Sequence, residues 1–104
     1  MPVTTLDGHQ IHVDAEGFLT DLSEWDDELA TVLASQIGLT LTEEHRAVLR
    51  FLRDDFAQRG ETATLRRASA GTGVPVKDLF RLFPQKPAKK MAYVAGLPKP
   101  VGCV

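Results

Sequence analysis

Residues 42–60 read TEEHRAVLRFLRDDFAQRG, and the apolar side chains Ala47, Val48, Phe51, Leu52 and Phe56 recur through them at the i, i+3, i+4 spacing of one helix face. Thr40 or Thr42 supplies a hydroxyl able to cap the first turn, and Glu43 and Glu44 sit where the positive end of a helix favours acids. Gly60 supplies the stop. The stretch therefore predicts a long amphipathic helix around which the other elements pack.

Upstream, Trp25, Leu29, Val32, Leu33 and Ile37 repeat the helical spacing, with Ser23 as the expected cap and Gly38 as the terminator. Before them, residues 3–19, VTTLDGHQIHVDAEGFL, carry two short β-prone pieces around Asp7-Gly8 and a second turn at Gly17, which is a hairpin signal. Downstream, residues 64–70 predict a short helix ended by Gly71-Thr72-Gly73, and Pro75 opens another through Leu79, Phe80, Leu82 and Phe83 to Pro84. Residues 89–95 add a turn or two of helix closed by Gly96, and Pro98 and Pro100 favour an extended, polyproline-like run. The expected fold class is α+β in one domain over 1–104: a small N-terminal β-hairpin (1–20) packed on a helical bundle (23–95), with an extended mobile C-terminal arm (96–104).

The chain has 104 residues, 43% apolar and 25% charged, with a formal net charge of −2; this is a globular composition without the basic excess of a nonspecific nucleic-acid binder. The charge is uneven. From Arg66 to Val104 there are eight basic residues against the single acid Asp78. The sequence lacks a charged-then-apolar leader and any apolar run long enough to cross a bilayer, so a cytoplasmic location and no membrane partner are expected.

The single cysteine, Cys103, lies in that basic region and cannot form an internal disulfide. Seven residue steps separate it from Gly96, an extended reach of about 20 Å at about 3.1 Å per step. Leu97, Pro98, Lys99 and Pro100 would stiffen and present such an arm, and Gly102 would let its tip adapt. The thiolate is the reactive species, and an ordinary cysteine ionises near pH 8.5 or so. Lys99, Lys89, Lys90 or Arg66 would favour that charge if the arm folds back, or would dock the arm on a partner. A thiol so placed suits sulfur uptake and release by exchange, with acceleration supplied by partner proteins.

Other chemistries find weaker support. His9, His12 and His45 with Cys103 lack metal-ligand spacing, and the first two point to opposite faces of a strand; no metal or cofactor is expected. The pairs Glu43-Glu44 and Asp54-Asp55 are expected to be solvated helix-face residues, because adjacent helical side chains diverge. GTGVPVK lacks the Gly-Lys-Ser/Thr ending of a phosphate loop. Residues 61–83 do read as helix, tight turn, helix with Arg66, Arg67, Lys77 and Arg81 available for phosphates, which keeps a helix-turn-helix nucleic-acid-binding module as an alternative. VKDLFRLF, however, offers few side chains suited to base edges.

The segment LFPQKPAKKMAYVAGLPKPVGCV resembles the C-terminal signature of the TusE/DsrC family of sulfur-carrier proteins, in its LFP, its PAK, and its AGLPKP followed by a penultimate cysteine. Fainter similarity covers DAEGFL, Trp25, IGLTLTEEH and TLRR. The resemblance implies a hairpin and helical bundle, with Cys103 as the sulfur-bearing atom and no self-contained active site. The DsrC branch carries a second arm cysteine eleven residues earlier, and here that position is Ala92. The sequence is therefore similar to the TusE branch, which implies persulfide relay toward 2-thiouridine in tRNA between TusBCD-like donors and a tRNA thiolase. The alternative is a DsrC-like partner of a sulfite-reductase or heterodisulfide-reductase-like complex. Arg46, Ala63 and the short loop from Gly71 to Lys77 depart from the family pattern.

Overall fold

The computed structural model describes residues 3–6 and 8–100. Strands β1 (Val3–Leu6) and β2 (His9–His12) pair antiparallel, Val3 opposite His12 and Leu6 opposite His9. The chain then turns at Gly17, where φ is +92° and Asp14 accepts the backbone N–H groups of Glu16 and Phe18. An isolated bridge between Val13 and Leu19 closes that turn. Five helices follow: α1 (Asp27–Gln36), α2 (Glu43–Arg59), α3 (Leu65–Thr72), α4 (Val76–Leu82) and α5 (Pro87–Val94). The hairpin and bundle match the expected α+β class.

Two apolar clusters organise the molecule. Ile11, Val13 and Leu19 from the hairpin region pack on Leu29, Val32 and Leu33 of α1. The larger cluster joins α1, α2 and the three short helices around Leu49, Leu52, Leu79, Phe83 and Met91, and it includes Leu97. Helix α2 lies at its centre, although its buried face is Val48, Leu49, Leu52 and Asp55, with Ala47 outside. Of the two candidate caps, Thr42 is used. Its N–H donates to His45 Nδ1 at 3.0 Å, while His45 Nε2 is 2.7 Å from the Leu82 carbonyl. This arrangement requires the proton on Nε2, which donates to Leu82, so His45 ties the start of α2 to the end of α4.

The expected start of the first helix is displaced. Asp21, not Ser23, caps a single 3-10 turn over Leu22–Glu24, and Asp26 caps α1 through the Leu29 N–H at 2.7 Å. Trp25 lies between them in extended backbone. Its indole Nε1 donates to the Val94 carbonyl at 2.8 Å, a tertiary bond that the local helical pattern could not reveal. Helix α3 also runs past Gly71 to Thr72, ending at Gly73 with φ +79°. Gly71 instead serves close packing: a Cβ there would collide with the Phe51 ring on α2.

Candidate functional site

The C-terminal segment begins where α5 stops. Gly96 has φ +70°, and a Cβ on it would fall 2.9 Å from Trp25 Cγ and 3.0 Å from Leu19 Cδ2. Both the turn and the close approach require glycine. Arg53 of α2 reaches under the same turn, donating Nη1 to the Ala95 carbonyl at 2.7 Å and Nη2 to the Leu22 carbonyl at 2.9 Å. Its guanidinium stacks 4.3 Å from the centre of the Trp25 ring. Burial lowers the Arg53 pKa, but three favourable partners surround the charge.

Beyond this clamp, the Leu97 N–H donates to the Ala92 carbonyl at 3.0 Å and the Leu97 side chain is 1% exposed. Thr62 donates its hydroxyl to the Pro98 carbonyl at 2.7 Å, Lys99 pairs with Glu16 at 3.1 Å, and Pro100 is buried. The sequence places the start of an extended arm at Gly96. Residues 97–100 instead lie against the body, because Leu97 is more stable in the core than in water and its neighbours have polar partners there. Gly102 and Cys103 lie outside the described residues.

The basic residues expected to accompany the thiol separate into two places. Lys89 and Lys90, with Lys86, line a cleft of about 540 Å³ between the Glu16–Phe18 turn, the end of α1 and the start of α5. Lys99 borders it through Glu16. Arg66 lies elsewhere, in a second cleft with Phe51, Thr64 and Gly71. Lys86 is notable because it and Gln85 both take positive φ, 49° and 59°, at non-glycine positions. The ammonium of Lys90 donates to the Pro84 carbonyl and fixes that loop.

Sequence reasoning missed Arg53, Thr62, Glu16 and Lys86, and counted Trp25 only as part of the first helix's apolar repeat. Arg53 alone left a trace, since it shares a helix face with Leu49 and Phe56 at i−4 and i+3.

Helices α3 and α4 do follow one another across a short turn, but two of the four basic residues there, Arg67 and Arg81, are committed to carboxylates. Asp55, 5% exposed, accepts Nε and Nη2 of Arg67 at 2.8 and 2.6 Å, and these bonds hold its carboxyl below the usual range. Arg81 is paired with Glu44 and Asp78. His12, Asp21 and Glu24 bring three metal-capable atoms within 4.8 Å of one another. Their contacts are structural: Glu24 accepts the His12 N–H and meets its ring Nδ1 at 2.6 Å, and Asp21 accepts from Ser23. Among the described residues, no helix is long and apolar enough to cross a membrane.

The model of the family described as DsrC like protein matches residues 5–104. The chain belongs to the DsrC-like family. It is 39% identical over 105 residues to sulfurtransferase TusE of Escherichia coli, covering 94% of this chain and 96% of that one. It is 35% identical over 111 residues to sulfurtransferase TusE of Photorhabdus laumondii, across the whole of both chains. Its fold is similar to the NMR structure of Allochromatium vinosum DsrC, with TM-score 0.85, 38% identity, and coverage of 98% and 97%. It is also similar to the oxidized gamma-subunit of dissimilatory sulfite reductase (DsrC) from Archaeoglobus fulgidus, with TM-score 0.79, 37% identity, and coverage of 99% and 100%. This kinship supports a sulfur-carrier role.

Proposed function

We propose that the protein carries sulfur as a persulfide on Cys103 and relays it between proteins on the route to 2-thiouridine in tRNA. The Cys103 thiolate attacks the outer sulfur of a donor persulfide. One S–S bond forms as the donor's breaks, and the donor leaves as its thiolate. An acceptor thiolate then attacks the carried sulfur and Cys103 departs as thiolate, so the relay needs no added oxidant or reductant. TusBCD-like proteins and a tRNA thiolase fit the roles of donor and acceptor.

The observation that carries this reading is the lone thiol together with full-length kinship to sulfurtransferases. Ala92, where the family resemblance places a second arm cysteine, is a fully buried core residue of α5. The chain therefore has no resolving thiol of its own, and sulfur leaves Cys103 only to another molecule. The likeness to DsrC structures favours a second reading, a partner of a sulfite-reductase or related redox complex. Reconstituted transfer separates them. Labelled sulfur should pass from the loaded protein to tRNA in the presence of a thiolase; loading followed by delivery only to a sulfite-reductase complex would replace the first reading with the second.

A further inference from the structure

Among the described residues, Lys86, Lys89 and Lys90 make no ion pair, whereas Arg46, Arg59, Arg67, Arg81 and Lys99 are each matched to a carboxylate. The acid on the same cleft, Glu16, is the residue already bonded to Lys99. Arg50, Arg53, Arg66 and Lys77 are also outside any ion pair, but Lys86, Lys89 and Lys90 stand together along one wall of a single cleft, whose apolar lining comes from Phe18, Ile37 and Tyr93. The loop presenting Lys86 holds two successive non-glycine residues at positive φ, a disfavoured conformation of the kind that clusters at functional sites. Through Glu16 and Lys99 the rim lies one residue from Pro100, which precedes Cys103 by three positions in the sequence.

We propose that this cleft docks an acidic polypeptide segment of the protein that exchanges sulfur with Cys103. Carboxylates of the segment pair with Lys86, Lys89 and Lys90, and an apolar side chain enters against Ile37 and Tyr93. The proposal rests on the carrier reading above, and adds where a partner grips and by what chemistry. A polypeptide fits better than RNA. Phe18 is 2% exposed and edge-on to Tyr93 at 88°, which leaves no paired ring faces for stacking bases.

The test titrates the ¹⁵N-labelled full chain at low ionic strength with a synthetic acetylated peptide, Glu-Glu-Leu-Glu-Glu. Amide shifts are expected at Gly17, Ile37, Lys89 and Tyr93, with affinity falling about tenfold in Lys86→Gln/Lys89→Gln. Lys77→Gln, on exposed α4, should leave binding unchanged. Absence of shifts at the cleft, or unchanged affinity in the double variant with its folded spectrum intact, overturns the proposal. So does tighter binding of an RNA oligonucleotide of equal charge to the same amides. Binding that appears only after residues 101–104 are removed would assign the cleft to the chain's own terminus and overturn it equally. The titration involves no sulfur transfer, so Cys103→Ser should behave as the parent. Its outcome and that of persulfide loading are therefore separable.

Discussion

Replacing Gly96 by alanine should destabilise the protein by more than any turn preference explains. A residue with a Cβ at φ +70° incurs about 1–2 kcal/mol for the left-handed conformation. The new methyl would also lie 2.9 Å from Trp25 Cγ and 3.0 Å from Leu19 Cδ2. Overpacking of this kind adds about 1–3 kcal/mol, because Trp25 is held by its bond to Val94 and by the Arg53 stack, and neither can yield freely. The expected total is about 2–5 kcal/mol. Gly38 is the control, with φ +75° and nothing within 4 Å of its would-be Cβ, so Gly38→Ala isolates the conformational part. Urea denaturation of parent and both variants, with m-values compared to confirm like transitions, measures the difference. Equal losses for the two alanines would refute the packing of Gly96 against Trp25, and with it the rooted C-terminal segment.

Further outcomes follow from the same contacts. Trp25→Phe removes the indole donor while keeping a ring, and should cost about 1–3 kcal/mol in urea because the buried Val94 carbonyl loses its partner. Arg53→Met should be comparably destabilising and should also speed amide exchange at Leu97. Asp55 has its pKa lowered chiefly by the Arg67 hydrogen bonds, so its stabilising contribution is present above the unfolded value near pH 4 or so and is lost as pH falls through the lower folded value. Asp55→Asn should flatten the acid limb of stability against pH below about 4, and an unchanged limb would contradict the pairing. Thr62→Val combined with Glu16→Gln removes both polar contacts of the segment after Leu97. Exchange of the Leu97 amide should then rise about tenfold without a comparable rise in the core of α2.

Much of this architecture is legible in the chain because it is locally encoded. The stripe of α2, the Thr42 cap, the Gly60 stop and the pairing of β1 with β2 depend on neighbours within a few residues, and each stands near where periodicity places it. Features set by distant partners are not. Trp25 satisfies helical spacing yet leaves the helix, since its donor is met by a carbonyl sixty-nine residues away. Asp55 reads as a surface acid beside Asp54 until Arg67 arrives on another helix to neutralise it. The C-terminal segment illustrates the same limit: two prolines and a lysine predict an extended run, but the burial of Leu97 and the contacts from Thr62 and Glu16 belong to the tertiary structure. The candidate site is legible in part. Lys89 and Lys90 stand together, whereas Arg66 lies on a different cleft, because net charge along a sequence carries no information about which faces the helices turn.

The measurement that bears most directly on sulfur carriage is intact-protein mass after incubation with a cysteine desulfurase, cysteine and a competent relay donor. The protein should gain one sulfur atom, lose it on treatment with reductant, and gain none as Cys103→Ser. A parent that stays at its original mass with every competent donor, or a serine variant that takes up sulfur as well as the parent, would contradict the account.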